Sequence, residues 1–346
     1  MSVYIVAEIG CNHNGSIVTA KKMVAEAKAA GVDAVKFQMF KAHNLITASA
    51  PKAEYQKLTT GPNESQLEMT RKLELSQQEY LELKKYAEDL ELDVFSTPFD
   101  EESIDFLERI GQKNWKIPSG EITNLPYLER IARLNISNPH IILSTGMSTI
   151  NEIRYAIHIL QKGEKRNITL LQCNTEYPTP DEDMNLRAIE HLKTQFPDCN
   201  IGLSDHSIGI IASIIALSYD IVLIEKHFTL DKNLPGPDHK ASATPQELKM
   251  LCESVRRGEI MLGSYNKLVT PSEEKNKFVA RKSIVAKKHI NKGDTFNTGN
   301  ITCKRPGNGI SPLYWHKVLG SMAERDFEED ELITCKGIMW EEERQL

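Results

Sequence analysis

The chain has 346 residues, 40 % apolar and 26 % charged, with 42 Lys+Arg against 48 Asp+Glu and a net charge of -6. This composition excludes a disordered or fibrous chain, and the mild acidity argues against nucleic acid, whose phosphates need a basic face. The longest apolar run, residues 208–217, falls well short of the roughly 20 residues that span a bilayer, so no membrane role is read.

Residues 1–5 run straight into a strand-like segment with no basic leader. The six cysteines are scattered, without a Cys-x-x-Cys pair. Both features point to reduced thiols and a cytoplasmic protein. Eight strands are expected at residues 4–9, 34–38, 93–97, 115–118, 141–144, 168–173, 201–204 and 221–227. Helical stretches fall between or after them, at 17–30, 77–90, 102–110, 125–134, 149–162, 184–195, 208–219 and 245–262. Several strands are apolar at consecutive positions, as when both faces of a parallel sheet are buried. Eight β-then-α units in about 260 residues match an α/β (β/α)8 barrel, with a doubly wound sheet as the alternative. Residues 40–76 form a long insertion carrying Lys41, Lys52 and Lys57, expected to be a loop of the active site.

The pattern changes near residue 263. A polar segment over 267–281 reads as a linker helix, followed by strand pieces at 283–286 and 301–303 and a short helix over 311–320. The expected organisation is a barrel over 1–265, a linker over 266–281 and a small domain over 282–346.

Catalytic groups of parallel barrels sit at the C-terminal ends of strands. Lys36 and Lys116, with the hydroxyls of Ser119, Ser144 and Ser204, suit a small, highly charged anion. His206 and His227, from neighbouring strands, suit one divalent metal with open positions for water and substrate. A plainer reading stands beside each. The Ser–Gly pairs serve turns, Glu8 and Glu225 only neutralise barrel lysines, and Cys11 and Cys173 are inert packing. Polar groups at all eight strand ends are what the plainer reading explains badly.

Several motifs carry a family resemblance. They are Ala7-Glu8-Ile9-Gly10-Cys11-Asn12-His13-Asn14-Gly15, Ser96-Thr97-Pro98-Phe99, Lys116-Ile117-Pro118-Ser119-Gly120-Glu121 and Gly202-Leu203-Ser204-Asp205-His206. With Glu225-Lys226-His227-Phe228, Pro235-Gly236-Pro237-Asp238 and Lys304-Arg305-Pro306-Gly307-Asn308-Gly309, the chain resembles the sialic acid synthases over nearly its whole length. The bacterial N-acetylneuraminate synthases are the best fit, with legionaminate synthases very close. The resemblance implies a barrel followed by an antifreeze-like (β-clip) domain. It also implies condensation of phosphoenolpyruvate with N-acetylmannosamine and water, giving N-acetylneuraminate and phosphate. The alternative sugar is 2,4-diacetamido-2,4,6-trideoxymannose, giving legionaminate.

Carried over residue by residue, Lys36, Lys116, Ser119, Ser144 and Ser204 would hold phosphoenolpyruvate. Thr175 stands where some relatives carry an Asn for that ligand, with Asn174 next door. His206 and His227 would hold Mn2+, with Mg2+ or Co2+ as alternatives. Gln38, Thr97, Tyr177 and Asp238 would surround the sugar, Glu121 would position or deprotonate the water, and Glu8 would support metal or sugar. Arg305 would reach from the small domain into the barrel of a second subunit, which implies a domain-swapped homodimer.

Overall fold

The computed structural model describes residues 2–61, 63–162 and 167–338. The chain divides into two compact units, Met1–Gly263 and Ser264–Leu346.

The first unit is a (β/α)8 barrel. Its parallel strands are β1 (Tyr4–Gly10), β2 (Ala34–Met39), β3 (Asp93–Pro98), β4 (Asn114–Ile117), β5 (His140–Ser144), β6 (Asn167–Cys173), β7 (Asn200–Asp205) and β8 (Leu223–His227). Hydrogen-bonded neighbours run β3-β2-β1-β8-β7-β6-β5-β4, so the ladder is open only between β3 and β4. Those two strands still lie side by side. The Gln112 side chain bridges part of that seam. Its Oε1 accepts from the Ser96 N–H at 2.8 Å and its Nε2 donates to the Ser96 carbonyl at 2.9 Å. A side-chain amide thus supplies the donor and acceptor that a neighbouring strand would have offered.

The barrel helices begin where the sequence provides caps. Ser76 with Glu79, Thr149 with Glu152 and Thr244 with Glu247 form reciprocal capping boxes at the starts of helices Gln77–Asp89, Ile150–Leu160 and Pro245–Leu262. The 208–219 stretch is shorter than expected: an α-helix over Ile211–Ala216 followed by a 3-10 turn, Leu217–Tyr219. The 40–76 insertion is not a bare loop. It folds into three short helices, Ala42–Leu45, Glu54–Thr60 and Gln66–Arg71. Its lysines are engaged locally: Lys41 with Glu74, Lys52 with Glu64 and Lys57 with Glu54.

Inside the barrel, side chains stack in layers set by the two-residue period of a strand. Val6, Ala34, Phe95, Ile142, Leu171 and Leu223 pack together as a fully apolar floor. Gly202 on β7 makes room for it, since a Cβ there would stand 2.7 Å from Leu171 Cδ2 and 2.5 Å from the Leu223 carbonyl oxygen. Two residues further along each of the six floor strands stand Glu8, Lys36, Thr97, Ser144, Cys173 and Glu225.

The second unit opens with helix Pro271–Ala280 and holds an antiparallel pair, β9 (Ser283–Ala286) with β10 (Ile301–Lys304). Its own core includes Ile284, Ile290, Phe296, Ile301 and Phe327. Ser283 Oγ donates to the Pro306 carbonyl and accepts from the Gly309 N–H, fixing the segment that carries Arg305. Among the described residues, no helix is long and apolar enough to cross a membrane.

Candidate active site

Above the apolar floor lies a cavity of about 170 Å³ at the C-terminal end of the strands. It is lined by twelve of the residues singled out from the sequence: Glu8, Lys36, Gln38, Thr97, Lys116, Ser119, Ser144, Thr175, Tyr177, Ser204, His206 and His227. Parity explains the gathering. Lys36 and Gln38 leave the same face of β2, and Glu225 and His227 the same face of β8. Parallel register sets Glu8 beside Lys36 on one flank and beside His227 on the other.

The layer resting on the floor is ionic and buried. Lys36 Nζ lies 2.8 Å from Glu8 Oε2 and 3.6 Å from Glu225 Oε2, and donates to Thr97 Oγ1 at 2.9 Å. Lys116 Nζ lies 2.8 Å from Glu225 Oε1, which also accepts from Ser204 Oγ at 3.0 Å. The carboxylates do pair with the barrel lysines, as the plainer reading had it, and both also line the cavity.

The two carboxyls are shifted in opposite directions. Burial pushes Glu225 up, but Lys116 and Lys36 overcome this and hold it well below the usual carboxylate range. For Glu8, burial outweighs Lys36 and leaves the carboxyl raised. Burial works against the Lys36 ammonium, yet Glu225 and Glu8 hold its pKa above the ordinary lysine value. Two lysine ammoniums thus converge on a dry pocket, and Ser144 Oγ is buried there without a hydrogen-bond partner. Such a set suits an anion.

The opposite wall is aromatic. Tyr177 stacks on His206 with ring centroids 4.1 Å apart, and His206 and His227 lie 5.3 Å apart. His206 Nδ1 is 2.5 Å from the Asn174 carbonyl, a bond that requires Nδ1–H and turns Nε2 towards Ser204 Oγ, 3.3 Å away. His227 Nδ1 is buried with no hydrogen-bond partner, and burial together with His206 holds its pKa well below the ordinary histidine value. Two imidazoles lining one cavity, one of them with a buried ring nitrogen that has no hydrogen-bond partner, fit a divalent metal completed by water and substrate oxygens. Among the described residues no cluster of three or more His, Cys, Asp or Glu forms a full protein cage.

Three of the sequence candidates lie outside the lining. Glu121 ends the 3-10 turn after β4, half-buried, where it accepts from Asn124 Nδ2 at 2.6 Å and burial raises its pKa. Asp238, in the loop after β8, is pushed up to about 6 by burial, with Glu8 adding to the rise and His206 opposing it. Arg305 belongs to the second unit, where its Nε donates to the Ala280 carbonyl. Thr175 points into the cavity, whereas the Asn174 side chain is engaged with the Glu176 N–H and the Asp183 carbonyl.

Two further residues, which the sequence alone marks as packing or as charge neutralisers, line the cavity. Cys173 lies on the cavity, Sγ 3.9 Å from His206 Nδ1 and 3.8 Å from Ser119 Oγ. Burial raises its pKa, but His206, Lys116 and Ser119 together outweigh that and bring the thiol down to about 7. Glu225 is the ion-pair hub. Strand parity gave the signal for both, since each stands two residues beyond a floor residue. Among its described residues, the insertion expected to be a loop of the active site contributes none of the lining.

A barrel with an apolar floor, a buried ionic layer and a two-histidine wall at the C-terminal end of its strands has the build of a (β/α)8 enzyme. The NeuB family matches residues 23–267 and the SAF domain residues 281–339. The chain is 52 % identical over 331 residues to the N,N'-diacetyllegionaminic acid synthase of Campylobacter jejuni, covering 95 % of this chain and 98 % of that one. It is 41 % identical to the N,N'-diacetyllegionaminic acid synthase of Legionella pneumophila, covering 93 % and 90 %. The crystal structure of N-acetylneuraminic acid (sialic acid) synthetase from Leptospira borgpetersenii, in complex with citrate, superposes with a TM-score of 0.69 at 33 % identity, covering 80 % and 90 %. The chain belongs to the NeuB family, the synthases of sialic, legionaminic and pseudaminic acids, and its second unit is that family's antifreeze-like SAF domain.

Proposed function

We propose that this enzyme condenses phosphoenolpyruvate with 2,4-diacetamido-2,4,6-trideoxymannose and water to give N,N'-diacetyllegionaminate and phosphate. The observation that carries the choice of sugar is the 52 % identity, nearly end to end, with a synthase of that product. It favours the legionaminate alternative over the N-acetylmannosamine substrate that the motifs first suggested. The sialic acid synthetase of known structure stands at 33 %.

In this reading Lys36 and Lys116 hold the phosphate and carboxylate of phosphoenolpyruvate as fixed charges, with Ser119, Ser144, Thr175 and Ser204 donating around them. Gln38, Thr97, Tyr177 and Asp238 orient the sugar aldehyde over the enol carbon, which attacks it. Glu121 positions the water that adds at carbon 2 before phosphate leaves by carbon–oxygen cleavage. Glu8, bonded to Gln38 Nε2 at 2.8 Å, holds that glutamine in place. A divalent ion held by His206 and His227, Mn2+ or in its place Mg2+ or Co2+, would supply Lewis acidity at the aldehyde oxygen. Arg305 serves the barrel of a second copy, making the working unit a homodimer.

The test is phosphate release from phosphoenolpyruvate with Mn2+ and either sugar. Release should require both substrates and the metal, and be faster with the trideoxy sugar. Faster turnover of N-acetylmannosamine would move the enzyme to the neuraminate branch. Full activity after chelation, or in His206→Ala and His227→Ala, would remove the metal role. For Arg305, mixing inactive Arg305→Ala with inactive Lys116→Ala chains should restore activity. Absence of rescue after demonstrated subunit exchange refutes sharing.

A further inference from the structure

We infer that the buried pair Asp205–Lys226 is a positioning device. It fixes the spacing of His206 and His227, and through that spacing the affinity of the site for a divalent ion. The inference rests on the metal role proposed above for the two histidines.

Asp205 and Lys226 each precede one of those histidines, so strand parity turns them to the outer face of the barrel wall while the rings face the cavity. Parallel register sets Asp205 opposite Lys226. Both are buried, at 0 % and 1 % exposed, and Lys226 Nζ lies 3.1 Å from Asp205 Oδ2. That oxygen also accepts from Ser213 Oγ at 2.6 Å, which ties the pair to helix Ile211–Ala216.

The other bonds of the pair go to the turn that carries His206. Asp205 Oδ1 accepts from the Ser207 N–H at 2.9 Å and from Ser207 Oγ at 2.6 Å, closing a ring around the His206 backbone. Lys226 Nζ donates to the Ser207 carbonyl at 2.7 Å. The residue before His227 therefore holds the residue after His206, across the boundary between β7 and β8. The His206 carbonyl accepts from the Thr179 N–H at 3.0 Å, and the His227 carbonyl from the Ala243 N–H at 2.7 Å, so both backbones are also held from outside the pair.

A buried ion pair is poor evidence of stability, since a well-packed apolar pair often serves as well. An apolar pair here would leave the Ser207 N–H, hydroxyl and carbonyl without these partners. What the ion pair supplies is register between the two strand ends. An ion shared by two imidazoles needs each nitrogen at about 2.0–2.1 Å, so small shifts between those ends matter to binding. Neither Asp205 nor Lys226 lines the cavity, so their effect on the ion passes through the histidines.

The experiment titrates the metal-free, full-length enzyme with Mn2+ alone, following the free ion by electron paramagnetic resonance. Asp205→Asn and Lys226→Met should each raise the Mn2+ Kd about tenfold to a hundredfold. Their phosphoenolpyruvate KM at saturating Mn2+ should stay within about twofold, because Lys36 and Lys116 stand on other strands. Leu251→Ala, a buried truncation in helix Pro245–Leu262, lowers stability elsewhere in the fold and should leave the Kd unchanged. An unchanged Kd in either charge variant, a phosphoenolpyruvate KM that rises in step with it, or an equal rise in Leu251→Ala overturns the inference and leaves the metal role standing. Should the charge variants fail to fold, Ser213→Ala decides. It removes one bond to Asp205 and should raise the Kd about threefold; no change there overturns the inference. A wild type that binds no Mn2+, or binds it no better than His206→Ala does, overturns the metal role and this inference with it.

Discussion

Glu225 on β8 holds Lys116 on β4 at 2.8 Å across the barrel, joining residues 109 apart in the sequence. The same carboxylate reaches Lys36 and Ser204, so one anion organises the cationic side of the cavity.

Glu225→Gln leaves Lys116 buried without its counter-charge, and the expected loss of stability is about 3–5 kcal/mol. Chemical denaturation of variant and wild type measures it. Since the folded-state pKa is depressed, the stabilisation is complete above the unfolded carboxylate value of about 4.3 and is lost as pH falls below it. The difference between the two proteins should therefore shrink in acid and stay flat from pH 6 to 8.

Gln112→Ala removes the bridge between Gln112 and the Ser96 backbone and strands a buried N–H and C=O. At roughly 1–3 kcal/mol per unsatisfied group, about 2–6 kcal/mol should be lost. Hydrogen exchange of the Ser96 amide should accelerate more than that of amides in β1 or β6. Equal acceleration everywhere would mean that the seam opens only with the whole barrel.

Gly146 follows β5, and its N–H donates to Ser119 Oγ at 3.0 Å. A Cβ there would stand 2.7 Å from Thr175 Cγ2 and 2.9 Å from Ser119 Oγ. Gly146→Ala should displace both side chains and raise the phosphoenolpyruvate KM about tenfold or more, with the thermal transition nearly unmoved. An unchanged KM would separate Ser119 and Thr175 from that ligand.

Cys173 should alkylate first among the cysteines of the metal-free enzyme. Burial and then His206 set its thiol at about 7, whereas burial pushes Cys199 to about 11 and Cys252 to about 12 and holds Cys11 well up. Its iodoacetamide rate should rise through pH 7 and level off near pH 8, as the thiolate fraction does. Peptide mass mapping checks the site. Phosphoenolpyruvate should protect it, and selective labelling of Cys199 at pH 7.5 would contradict the assignment.

The barrel was legible because its information is local. Consecutive apolar β-branched residues mark doubly buried strands, capping residues mark helix starts, and the chain's own order alternates the two. Strand-end positions then brought Lys36, Lys116, Ser204 and His227 into view, because in a parallel barrel all eight ends face one way. Strand parity also puts Glu225 and Cys173 on the same faces as the floor residues Leu223 and Leu171.

What only the tertiary structure decided was pairing across the ring. No local pattern says that Glu225 meets Lys116 rather than solvent, that Gln112 serves Ser96, or that the insertion keeps its lysines for its own carboxylates. Periodicity reports which way a side chain points. Which partner it meets depends on register, closure and distance between segments far apart in the chain, and these are set once the whole barrel has packed.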